Sequence, residues 1–152
     1  MLSPKEVFDI AVKNEVEAAA IYTKMSKKTK DLVSKKMLEE LAKDELEHKV
    51  ILEKLFSSDD EFESNFASNE KELDIKLSDY LSEVELKVDS TMQETLIYAM
   101  KSEKKAFDLY TSLAELSSNF KVKDILINLA EIEMGHKNKL EKMYDDKIYS
   151  EN

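Results

Sequence analysis

Cysteine, tryptophan and arginine are absent from the 152-residue sequence, and glycine and proline occur once each. Without cysteine there can be no disulfide framework, thiolate zinc site, iron–sulfur cluster or thiol nucleophile. Without arginine the chain has no planar fork for phosphate. Its 23 lysines face 33 acidic residues, a formal charge of −10, so neither nucleic acid nor an anionic membrane surface is an expected partner. One glycine and one proline argue against an all-β domain and against glycine-rich phosphate loops, which leaves long helices. No run of about 18 apolar residues suggests a membrane span. No basic stretch followed by an apolar one at the start suggests a signal peptide, so a soluble, cytoplasmic protein is expected. The length suits one domain that buries roughly two thirds of its unfolded surface.

What is present is helical punctuation. Ser3-Pro4-Lys5-Glu6 supplies an N-cap hydroxyl, a proline at the first helical position and a capping-box glutamate, predicting a helix over about 4–27. A second fits about 32–57, with Asp31 as its cap. Thr91 and Glu94 repeat the capping box and open a third helix over about 91–116; a fourth fits about 119–148. Between them, about 58–90 forms a crossover expected to hold a short helix and an extended stretch. Its apolar residues Phe62, Phe66, Leu73, Ile75, Leu77, Tyr80 and Leu81 are expected to cover the bundle or to pack on a second copy in a homodimer.

The second half copies the first at an offset of 88 residues. Residues 3–27 against 91–115 and 37–57 against 125–145 give 7 + 9 = 16 identities in 25 + 21 = 46 positions without gaps. At helical spacing the inward stripes read Phe8, Ala11, Glu15, Ala18, Tyr22, Met25 in the first helix and Leu96, Ala99, Glu103, Ala106, Tyr110, Leu113 in the third. The second helix gives Leu38, Leu41, Glu45, His48, Leu52, Leu55, and the fourth Leu126, Leu129, Glu133, His136, Leu140, Met143. Both histidines of the chain therefore lie on inward stripes, each one turn after a glutamate. With 21 glutamates in 152 residues, chance would place a glutamate at that spacing before both histidines only about (21/152)², or 2%, of the time.

Two hairpins joined by a long crossover describe a four-helix bundle, and antiparallel packing brings Glu15, Glu45, Glu103, Glu133, His48 and His136 to one level of the core. Four buried carboxylates without partners would cost several kcal/mol each, on the order of the penalties known for buried ions, and the stripes hold no lysine to offset them. Two divalent cations would. Oxygen-rich ligation with two imidazoles and no thiolate suits iron, with manganese as the other fit, and six ligands for two metals leave positions open for exogenous oxygen species. Tyr22 and Tyr110, seven residues after Glu15 and Glu103, either fill the core or donate to a ligand carboxylate. Gly135 permits either a close backbone approach or nothing in particular.

Through Asn14-Glu15-Val16-Glu17-Ala18 with Tyr22, Leu41-Ala42-Lys43-Asp44-Glu45-Leu46-Glu47-His48, Ser102-Glu103 with Tyr110, and Leu129-Ala130-Glu131-Ile132-Glu133-Met134-Gly135-His136, the sequence resembles the rubrerythrin family of the ferritin-like superfamily. The resemblance implies two irons per chain, with Glu45 and Glu133 bridging and Glu15 and Glu103 terminal. It implies reduction of hydrogen peroxide, or reaction with dioxygen. The chain lacks the Cys-ligated rubredoxin domain of rubrerythrins proper, so electrons are expected from a separate donor such as a rubredoxin. It also has Ala106 where such proteins place an extra carboxylate. Ferritin-like iron storage and manganese catalase-like disproportionation of peroxide are the alternatives.

Overall fold

In the computed structural model, which describes residues 3–55, 86 and 89–151, four helices follow one another: α1 (Pro4–Lys28), α2 (Leu32–Leu55), α3 (Met92–Leu116) and α4 (Phe120–Glu151). The helices agree with the expected spans to within three residues wherever both ends are described. The expected crossover, with Phe62, Phe66, Leu73, Ile75, Leu77, Tyr80 and Leu81, lies outside the described residues.

Each helix starts where a side chain can take up orphan amide hydrogens. At α1 the Ser3 hydroxyl accepts from the Glu6 amide at 3.2 Å while the Glu6 carboxylate accepts from the Ser3 amide at 3.3 Å. Thr91 and Glu94 do the same for α3 at 3.0 and 3.1 Å. The other two helices open on short acceptors. Asp31 accepts from the Val33 and Ser34 amides and from the Ser34 hydroxyl, and Asn119 from the Lys121 and Val122 amides. The Ser34 hydroxyl, with the Val33 and Ser34 amides, holds the Asp31 carboxyl below its ordinary range. Asp31 and Asn119 are also related by the 88-residue offset.

Three-residue turns join α1 to α2 and α3 to α4, so each pair packs as an antiparallel hairpin, and α1 packs against α3 to close the bundle. Two apolar layers fix the direction of the third contact. One joins Val7, Phe8 and Ala11 of α1 to Leu52 of α2, Leu109 and Leu113 of α3 and Leu126 and Leu129 of α4. The other joins Tyr22 and Met25 to Leu38, Leu41, Leu96, Ala99 and Leu140. The start of α1 thus meets the end of α3, and α1 and α3 run antiparallel. Leu55 and Met92 accordingly lie at opposite ends of the bundle. Between the two apolar layers lies the polar level that holds the candidate site. Among the described residues no helix is long and apolar enough to cross a membrane.

Candidate metal centre

The mid-helix polar residues of all four inward stripes are buried: Glu15, Glu45, His48, Glu103, Glu133 and His136 expose between 0% and 4% of their surface. They form two sets. Glu15, Glu45, His48 and Glu133 bring one potential ligand atom each to within 4.8 Å of one another, and Glu45, Glu103, Glu133 and His136 do the same. Glu45 and Glu133 belong to both sets. Each thus stands between two positions, each of which is completed by a separate glutamate and a separate histidine.

Register explains the pairing. The Nδ1 of His48 lies 2.6 Å from Oε1 of Glu133, and the Nδ1 of His136 lies 2.7 Å from Oε1 of Glu45. The residue numbers sum to 48 + 133 = 181 and 136 + 45 = 181, as antiparallel α2 and α4 require. The imidazole rings lie nearly parallel, 13° apart, with centroids separated by 5.8 Å. Glu15 Oε2 and Glu103 Oε1 each stand 3.7 Å from the nearer Nδ1.

The two tyrosines follow the same logic. Tyr22 lies two turns beyond Glu15 on α1, about 10 Å along the helix, too far to serve that carboxylate. Its hydroxyl donates instead to Oε1 of Glu103 on antiparallel α3, and Tyr110 donates to Oε1 of Glu15. Here 22 + 103 and 110 + 15 both equal 125. Burial, with the carboxylates beside them, raises both phenols well above their ordinary value, so both remain donors at neutral pH. Each tyrosine occupies one oxygen of its glutamate and leaves Oε2 without a partner.

Seven buried side-chain atoms lack a hydrogen-bond partner among the described residues: Glu15 Oε2, Glu45 Oε1, His48 Nδ1, Glu103 Oε2, both oxygens of Glu133, and His136 Nδ1. All belong to the six residues of the two sets. The short Nδ1–carboxylate approaches lack hydrogen-bond geometry. An orphaned buried polar atom costs about 1–3 kcal/mol, so seven on one level need a common partner. Divalent cations fit that need in charge and in donor type.

Burial, reinforced by the neighbouring carboxylates, pushes Glu45 and Glu133 well above the ordinary carboxylate range. Burial acts the same way on Glu103, but Glu133, His136 and Tyr22 beside it outweigh that and hold it below the range. His136 is raised: burial opposes its charge, and Glu103 and Asp44 overcome the opposition.

Asp44 is the residue at this site that the helical stripes do not reveal. It precedes Glu45 and lies off the inward face, yet its Oδ2 stands 3.1 Å from Nε2 of His136. An acidic residue beside one Glu-x-x-His and an isoleucine, Ile132, beside the other was the available signal. Gly135 has nothing within 4 Å of where a Cβ would stand, so no close approach explains it.

The rubrerythrin family profile matches residues 6–93 and again 94–152, the second match starting 94 − 6 = 88 residues after the first. The chain belongs to the rubrerythrin family. Among solved structures, this rubrerythrin-family chain is similar to a hypothetical protein from Pyrococcus furiosus, with TM-score 0.72 and 25% identity over 95% of this chain and 89% of the other. A Thermotoga maritima protein assigned as a ferritin-like diiron-carboxylate protein gives TM-score 0.73 at 22% identity, covering 96% and 97%. A manganese catalase from Anabaena gives 0.65 at 20%, covering 92% and 71%. The last two establish the ferritin-like bundle. Among curated proteins no sequence matches. Family, fold and the two carboxylate–histidine sets together make this a rubrerythrin-family bundle with a buried Glu/His site whose two overlapping ligand sets suit a dinuclear metal centre.

Proposed function

We propose that this rubrerythrin-family protein is an oxidoreductase that reduces hydrogen peroxide, or reacts with dioxygen, at a di-iron centre, taking electrons from a separate donor protein such as a rubredoxin. The observation that carries the reading is the sharing of Glu45 and Glu133 between two otherwise separate ligand sets. Glu15 and His48 complete one position, and Glu103 and His136 the other. When bound, two ferrous ions would supply the two electrons that, with two protons, convert one peroxide to two waters.

The chain's own residues prepare that chemistry. Tyr22 and Tyr110 hold one oxygen of each terminal glutamate and turn the other toward the site. Neither oxygen of Glu133 has a hydrogen-bond partner among the described residues, so both would be available as metal ligands. The leucine layers on either side, including Leu41, Leu52, Leu129 and Leu140, keep bulk water from the carboxylates. Ala106 is buried and brings no further carboxylate to the centre, so six ligands leave room for an exogenous oxygen species.

Stopped-flow mixing of the reduced, iron-loaded protein with peroxide and, separately, with dioxygen tests the reading. Oxidation by one of them far faster than that of free ferrous ion is expected. Rates no faster than free iron with both would overturn it. Mineral uptake far beyond two irons per chain would favour storage, and oxygen release from peroxide without a reductant would favour disproportionation.

A further inference from the structure

The site residues obey the 88-residue repeat at every pair but one. Glu15 matches Glu103, Tyr22 matches Tyr110, Glu45 matches Glu133 and His48 matches His136, whereas Asp44 matches Ile132. The consequence falls on the histidines. His136 presents Nδ1 to the site, 2.7 Å from Glu45 Oε1, and keeps Nε2 3.1 Å from Asp44 Oδ2. His48 also presents Nδ1 to the site, and all its carboxylate contacts among the described residues go through that atom. The repeat places the aliphatic Ile132 where Asp44 stands for the other ring.

We propose that Asp44 is a positioning residue that makes the two metal positions inequivalent, so that the position completed by His136 fills first and more tightly, and the one completed by His48 second. The inference rests on the dinuclear reading above. A carboxylate that accepts the Nε2–H fixes the tautomer, leaving the Nδ1 lone pair aimed at the metal; it also holds the ring's orientation and makes the imidazole a better donor. Among the described residues His48 has no carboxylate at its Nε2 to do any of these. Because the four glutamates and both tyrosine bonds are matched across the repeat, Asp44 is the charge among the described residues that breaks the balance. Its side chain is 39% exposed, so replacing it leaves the apolar layers intact.

Anaerobic titration of the metal-free full-length protein with Co2+, followed by calorimetry and visible absorption, tests this. Two resolved steps are expected, and His48→Ala should abolish the weaker one while sparing the tighter. Asp44→Asn and Asp44→Ile should weaken the tight step by about 10–100-fold and leave the metal-free melting temperature in place. Ile132→Asp should strengthen the weak step. The exchange variant carrying Asp44→Ile with Ile132→Asp should restore two steps with the tight one now lost on His48→Ala. A single step in the unaltered protein that Asp44→Ile does not change overturns the inference while sparing the dinuclear centre. Equal weakening of both steps by Asp44→Ile also overturns it. Failure to bind cobalt at all overturns both.

Discussion

At the scale of single residues, the buried hydroxyls and the lone glycine make opposite predictions. Tyr22→Phe removes the donor to Glu103 and leaves that carboxylate less constrained, so metal affinity should fall about 10-fold or more with the helical content unchanged. Tyr110→Phe should cost a similar factor, because the repeat gives Glu15 an equivalent donor; competition with a metal chelator measures both, and no loss in either would show the hydroxyls merely fill space. Gly135 sits in the interior of α4 with open space around its missing Cβ. Gly135→Ala should therefore stabilise the protein by up to about 1 kcal/mol, a rise of a few degrees in a thermal melt, without changing metal stoichiometry.

At the scale of the helices, the start signals and the stripes carry most of the fold. Thr91→Ala removes the hydroxyl that accepts from the Glu94 amide, while the backbone amide of residue 91 can still donate to the Glu94 carboxylate, and should cost about 1 kcal/mol in denaturant unfolding, the amount typical of an N-cap hydroxyl. Capping residues and helical spacing were legible because both act within one helix: Ser3, Asp31 and Thr91 announce their helices, and Glu45 and His48 share a face by spacing alone. What crosses between helices was less legible. The bond from Tyr22 to Glu103 rather than to Glu15 depends on α1 and α3 running antiparallel at a particular register, which no single stripe encodes. Asp44 escaped for a related reason. It lies beside the inward stripe, and only the approach of α4 gives it a partner.

At the scale of the whole molecule, charge and protonation link the site to stability. Glu45 and Glu133 have folded-state values raised above those of the unfolded chain, so the stability tied to their protonation is full at low pH and is lost as pH rises through the raised values. His136, also raised, acts in the same direction, while Glu103, lowered, acts against it. The metal-free protein should therefore melt at lower temperature as pH climbs from the ordinary carboxylate range through neutrality, and metal should restore most stability at the upper end, where fewer protons compete for the ligands. Melting curves of the metal-free and metal-loaded protein across that range check both signs. The formal charge of −10 includes four carboxylates that two divalent ions would neutralise, leaving −10 + 4 = −6 on the remainder. With Glu45 and Glu133 shared between two ligand sets, one bundle should hold two metals. Counting iron retained per chain after anaerobic loading and removal of free metal tests it most directly: two per chain are expected, and fewer than one would contradict the account.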